Sequence, residues 1–386
     1  MLSLAVVAAN SLAGDAIEQM TGEAGIFKVV FRSSPTDLPI PTLVRSLKVH
    51  DADLILLEIG DWESVAPLAG QIGRSSLRGI TVGFRPGWNG LERATFDNAG
   101  IRYLLREPFS PGEIEAVAYE ALHKERGVSN RNILAFLPAK AGGGCSTVAI
   151  HTAAALASGL MKNVLLIECD QRSGVYSIML NLNHPQGLDN ALQSSDAMTL
   201  GEWHQQIVRV SGVHLLPANP KRRRALPSWA EYYQLLRFVQ KQYDYLLVDL
   251  PELVNEATAE VVRSARSVLI VCTPEVASLK MARFRAEELE ACEIPPDRIR
   301  IIVNRWEHDS PDAQQLEEML ERPVFGTLPN DYSHLKAAIM EARLASADSP
   351  FAEACRTFAR KLDGLPEAAP ERFKLALLRK LGRIAG

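Results

Sequence analysis

Short apolar runs alternate with helical stretches along most of the chain. Over residues 1–124 the runs 4–8, 28–31, 54–59, 80–84 and 103–105 read as strands, separated by stretches whose apolar residues recur at helical spacing. Regular alternation of this kind predicts a parallel sheet flanked by helices. The polar stretch 123–131 then reads as a linker, placing a boundary segment at 125–131. From 132 to 364 the alternation resumes on a larger scale. Predicted strands are 133–137, 164–169, 213–216, 245–250, 268–272, 299–304 and 324–328, with helices that include 279–292 and 312–321. Residues 185–212 and 217–230 are less regular. The sequence Gly364-Leu365-Pro366-Glu367-Ala368-Ala369-Pro370 breaks any helix and opens a final segment, 365–386. There Phe373, Leu377, Leu381 and Ile384 fall at helical spacing, and 371–386 carries five basic residues and one acidic. That is a short basic amphipathic helix.

Composition changes this picture little. A chain of 386 residues that is 47% hydrophobic and 23% charged, with net charge −4, is a globular protein of two or three domains with no general call for nucleic acid. No apolar run is long enough to span a bilayer. The first ten residues lack a basic leader and read as a first strand, not a signal peptide. The five cysteines are an odd number without paired spacing, which suits a reduced, cytoplasmic protein. The eight histidines form no ligand-like cluster, so no metal is expected beyond nucleotide-bound Mg²⁺.

The candidate chemistry lies at Lys140-Ala141-Gly142-Gly143-Gly144-Cys145-Ser146-Thr147, between an apolar strand and an alanine-rich helix. Strand, glycine loop and helix in that order make a phosphate-binding loop. The glycines let several N–H groups converge on one anion, and the helix N-terminus adds its positive dipole end. Ser146 stands where a hydroxyl would bind Mg²⁺, but Cys145 occupies the usual lysine position. A thiol supplies no positive charge, and at a helix start it could even ionise. Two predicted strands end in carboxylates, at Asp249 and at Asp170. Asp249 could hold Mg²⁺ through water.

With these residues in hand, 132–364 resembles the ParA/MinD family of deviant P-loop ATPases, whose loop pattern is Lys-Gly-Gly-x-Gly-Lys-Thr-Thr. Lys140, Gly142, Gly144, Ser146 and Thr147 match that pattern, while Ala141 and Cys145 depart from it. The resemblance implies a nucleotide-sandwich homodimer binding ATP or ADP with Mg²⁺, in which Lys140 reaches the partner's phosphates. It implies that Asp170 positions the attacking water and that Asp249-Leu250-Pro251 forms the second switch. Thr273-Pro274-Glu275 matches a family loop, Asn304 and Arg305 the adenine-binding strand end, and Pro329 the last base-flanking loop. Loss of the internal lysine removes one of the few charges that stabilise phosphoryl transfer, so hydrolysis is expected to be slow or absent.

Residues 1–124 resemble a response-regulator receiver domain, of flavodoxin-like fold. Glu58 stands at the phosphoacceptor position, Arg106 or Glu107 where lysine is expected, and Ala9-Asn10 replace an acidic pair. The resemblance therefore implies protein contacts and no phosphotransfer partner. A degenerate receiver before a MinD-like domain with an altered loop is similar to the CpaE/TadZ family, localisation factors of the Tad pilus secretion machinery. The implied partners are pilus secretion components. The 371–386 helix resembles MinD-type membrane-targeting helices, which implies the inner membrane surface, with docking on the protein's own body or on a partner as the alternative. The competing readings are a ParA/MinD-type ATPase cycling on DNA or membrane, and a nucleotide-free scaffold. The basic run Lys221-Arg222-Arg223-Arg224 is usually a solvated loop.

Overall fold

The computed structural model describes residues 1–365 except Asn10, 88–89, 126–131, 185, 196–197 and 220–225. The amphipathic tail and the run at 221–224 therefore lie outside the described residues. By contact the chain divides into two units: Met1–Asn130 with Leu192–Met198 and Leu226–Phe238, and the remainder.

In the first unit five strands, β1 (Leu2–Val7), β2 (Phe27–Ser33), β3 (Leu54–Glu58), β4 (Ile80–Arg85) and β5 (Tyr103–Arg106), form a parallel sheet of order β2-β1-β3-β4-β5. This is the flavodoxin-like order. The run Leu54-Ile55-Leu56-Leu57 is apolar without alternation because the central strand is covered on both faces. Helix Pro111–Glu125 runs on through His123 and Lys124, so the polar stretch does not begin as a linker at 123. Its last turn is held by His123 Nδ1 against the Tyr119 carbonyl at 2.7 Å and by Lys124 beside Glu120.

Helix Trp229–Val239 also packs in this unit, which the sequence pattern did not indicate. Its Gln234 Nε2 and Arg237 Nη1 donate to Asp53 at 2.9 and 3.1 Å. Asp53 is buried, and it also accepts from the Ser3 amide and hydroxyl and from Arg78. A buried carboxylate is tolerable only with this kind of partnership.

The second unit holds β6 (Ile133–Pro138), β7 (Val164–Glu168), β8 (Val208–Val210), β9 (Val213–Leu216), β10 (Tyr245–Asp249), β11 (Ser267–Cys272), β12 (Ile299–Trp306) and β13 (Val324–Pro329). Their order is β13-β12-β11-β6-β10-β7-β9-β8, parallel except for β8 against β9. The β8 strand was not foreseen, because three residues carry too little periodicity to read. Its sheet packs Leu134, Phe136, Leu166 and Leu247 against Val148, Ile150 and Ala153 of helix Cys145–Ala154.

One topological fact positions the site. β10 inserts between β6 and β7, which are consecutive in sequence, so the end of β10 stands beside the loop that leaves β6. Asp249 pairs in register with Phe136 on one side and Glu168 on the other.

Candidate functional site

The loop after β6 turns by left-handed backbone at Gly142 (φ 82°) and Gly144 (φ 84°), and Gly144 caps helix Cys145–Ala154. Asn304 Nδ2 donates to the Gly143 carbonyl at 2.9 Å, and Arg305 Nη2 to the Gly142 carbonyl at 2.9 Å. Both carbonyls are thereby tied to the β12 end. The amides of Cys145, Ser146 and Thr147 open the helix, where no preceding turn offers them a carbonyl. This is the backbone arrangement an anion takes. Lys140 is exposed at the rim of the loop, and Glu252 Oε2 accepts from the Ala141 amide at 3.1 Å.

Asn304 is buried, and with its nitrogen spent on Gly143 its Oδ1 has no hydrogen-bond partner. A buried acceptor left this way suits an N–H donor from a ligand. Pro329 closes β13 and pairs in register with Trp306, two residues after Asn304. Loop, Asn304, Arg305 and Pro329 thus gather at the C-terminal ends of β6, β12 and β13.

Beside the loop, Asp249 is buried and receives hydrogen bonds from the side chains of Ser146, Tyr176 and Cys145. Burial nevertheless pushes its carboxyl up to about 6, and the charge of Asp170 adds to the rise. A hydroxyl and a carboxylate side by side are hard oxygen ligands of the type Mg²⁺ takes, so Ser146 and Asp249 fit that ion. Asp170 lies on the loop after β7. Its Oδ1 accepts from the Arg172 and Ser173 amides at 3.0 and 2.8 Å, which commits it to its own turn.

Cys145 is buried beside Asp249. The helix-start position does not ionise the thiol, because burial raises its pKa well above the ordinary value and the Asp249 charge and hydrogen bond raise it further. It is a neutral donor to Asp249.

Three residues were missed. Glu168, buried at the end of β7, accepts from the Val175 and Tyr176 amides at 2.5 and 3.0 Å and from the Ala218 amide at 2.9 Å. Burial raises its carboxyl to about 7 in spite of these donors, with Asp249 contributing. A glutamate inside an apolar strand was the available signal. The second is Tyr176, fully buried, whose hydroxyl lies 2.9 Å from the Ser146 carbonyl and 3.0 Å from Asp249 Oδ2. The third is Glu252. Neither of these last two had a sequence signature.

In the first unit Glu58 Oε2 accepts from the Ala9 amide at 2.6 Å. Arg106, at the end of β5, is exposed, whereas Glu107 is partly buried. Burial, and then the charge of Glu58, raise the Glu107 carboxyl.

The profile of the family "Cellulose biosynthesis protein BcsQ" matches residues 132–355, more than half of the chain. The chain belongs to this family. Relatives of this BcsQ-family chain include an uncharacterised ATP-binding protein of Methanocaldococcus jannaschii, 28% identical over 243 residues, covering 60% of this chain and 87% of that one. The septum site-determining protein MinD of Synechocystis is 26% identical over 247 residues, covering 60% and 89%. Among solved structures, a ParA family ATPase from Chlorobium tepidum aligns with a TM-score of 0.55 at 20% identity, over 59% of this chain and 98% of that one. Family and relatives together make 132–355 a ParA/MinD-superfamily unit. Among the described residues no helix is long and apolar enough to cross a membrane.

Proposed function

We propose that the chain is an ATP-binding localisation and assembly factor that dimerises on nucleotide and hydrolyses it slowly or not at all. The observation that carries this reading is the loop 140–147, with its carbonyls tied back by Asn304 and Arg305 and its helix-start amides converging beside Ser146 and Asp249. In this reading Gly142, Gly143, Gly144, Cys145, Ser146 and Thr147 hold the phosphates. Asn304, Arg305 and Pro329 hold the base, and the orphaned Asn304 Oδ1 accepts from it. Ser146 and Asp249 hold Mg²⁺, which when bound offsets charge on the β- and γ-phosphates. Lys140, exposed at the rim, reaches the phosphates of a partner copy. Asp170 would orient water, and its commitment to its own turn favours slow turnover. Cys145, neutral and bonded to Asp249, supplies no cation in place of lysine.

A degenerate receiver-like unit ahead of an altered P-loop supports the CpaE/TadZ type, and with it a Tad-type pilus secretion apparatus as the partner. The basic tail 371–386 supports attachment at the inner face of the membrane. The name of the matching family favours a second reading, in which the apparatus positioned is one for cellulose biosynthesis. A fluorescent fusion separates the two: the pilus reading requires a focus that disperses when the pilus secretion genes are deleted. A focus that survives that deletion and disperses with the cellulose synthesis genes supports the second.

Dimerisation is tested by sedimentation. With saturating ATP and Mg²⁺ the protein is expected to sediment as a dimer, and Lys140→Ala to weaken the dimer at least about tenfold, the loss of one charge-assisted contact. A wild-type protein that stays monomeric at saturating ATP would remove the switch from this account.

A further inference from the structure

The buried Tyr176 hydroxyl takes no part in the functions assigned above, yet it sits among the residues that carry them. It is fully buried, 2.9 Å from the Ser146 carbonyl and 3.0 Å from Asp249 Oδ2. It therefore touches both residues of the candidate cation pair. With Ser146 and Cys145 it brings the donors on the Asp249 carboxylate to three. The ring is also fixed from behind. Tyr176 opens helix Tyr176–Met179, and its amide, like that of Val175, donates to buried Glu168. The segment that runs from Asp170 to Tyr176 is thus fastened at its Tyr176 end, by backbone to Glu168 and by the phenol to the P-loop.

We propose that Tyr176 is a positioning residue that competes with Mg²⁺ for Asp249. A carboxylate that orders the water shell of a divalent cation must direct a lone pair at that shell. Here one such direction is taken by a phenol that cannot leave without moving the 170–176 segment. Cation binding then requires Asp249 to exchange a protein donor for a cation-bound water, and the exchange is transmitted to the loop that carries Asp170. The phenol thereby makes nucleotide affinity depend weakly on Mg²⁺ and links cation occupancy to the position of Asp170. This inference rests on the nucleotide reading of the loop.

The test is ATP affinity measured by calorimetry with Mg²⁺ and with a chelator, on the full chain. Tyr176→Phe removes the hydroxyl and keeps the ring. The ratio of affinities with and without Mg²⁺ is expected to rise about tenfold over wild type, the size expected when a hydrogen bond to a charged group no longer has to be exchanged. Adding Asp249→Asn to Tyr176→Phe should abolish the rise and leave the ratio at or below the wild-type value, which a merely structural role for the ring would not do. Tyr176→Leu gives a second hydroxyl-free side chain should the phenylalanine variant fold poorly. ATP binding with an unchanged Mg²⁺ ratio in both hydroxyl-free variants overturns the inference and leaves the nucleotide reading intact. No ATP binding by the folded wild-type chain under either condition overturns both.

Discussion

Gly144→Ala is expected to abolish ATP binding, lowering affinity at least about 100-fold. Two independent penalties meet at this position. Gly144 has φ of 84°, and an L-residue held in left-handed backbone costs about 1–2 kcal/mol. A methyl group there would also lie 2.5 Å from Asn304 Nδ2. Asn304 cannot yield freely, because the same nitrogen holds the Gly143 carbonyl and the side chain is buried. Relieving the clash therefore breaks the bond that turns the loop's carbonyl outward, and the helix-start amides lose their common focus. Together the penalties come to roughly 3 kcal/mol, which is the 100-fold loss. Calorimetric titration with ATP checks the result. Gly142→Ala makes the informative comparison: its φ is 82°, but an added methyl meets nothing within 4 Å, so strain alone should cost less. Equal affinities for Gly144→Ala and wild type would show that the loop does not bind through this geometry.

Glu168→Ala is expected to destabilise the second unit by about 3 kcal/mol or more, because it leaves three amides, those of Val175, Tyr176 and Ala218, without their acceptor. Each unsatisfied buried donor costs about 1–3 kcal/mol, and the segment holding Tyr176 loses its anchor. The same residue gives the fold a pH dependence of defined sign. Glu168 rises from an ordinary 4.5 to about 7, and Asp249 from 3.8 to about 6. Both carboxyls hold a proton more tightly in the folded chain than in the unfolded one. The native state therefore carries more protons between about pH 4 and 7, and stability falls as pH rises through that window. The contribution of Glu168 is complete below its unfolded value and lost once the pH passes about 7. Denaturant midpoints measured from pH 5 to 8 should show the decline, and Glu168→Gln should flatten it to the part owed to Asp249. A wild-type midpoint that rises over this range would contradict the buried-carboxylate account.

Much of the fold was legible because parallel strands buried on both faces announce themselves as unbroken apolar runs. Leu54-Ile55-Leu56-Leu57 and Tyr245-Leu246-Leu247-Val248 needed no periodicity to be read. The candidate loop was legible for a different reason: glycines at 142 and 144 are demanded by backbone geometry and cannot be disguised. What stayed hidden depends on contacts between residues distant in sequence. Nothing local says that Gln234 and Arg237 close on Asp53, or that Tyr176 reaches from its short helix to Ser146 and Asp249. Glu168 stood in plain view within its strand, but its three amide partners come from 175, 176 and 218 and exist only in the folded chain. The state of the Cys145 thiol was hidden for the same reason, since the helix start argues for ionisation while burial beside Asp249 argues more strongly against it.

The central claim is that an altered P-loop without its lysine still binds ATP and turns it over slowly or not at all. Titrating the wild-type chain with ATP and Mg²⁺ in a calorimeter, with phosphate release followed on the same sample, tests it most directly. The account predicts saturable binding of one ATP per chain with little or no phosphate released while the nucleotide stays bound. No binding heat at millimolar ATP, or sustained rapid turnover that Asp170→Ala abolishes, would contradict it.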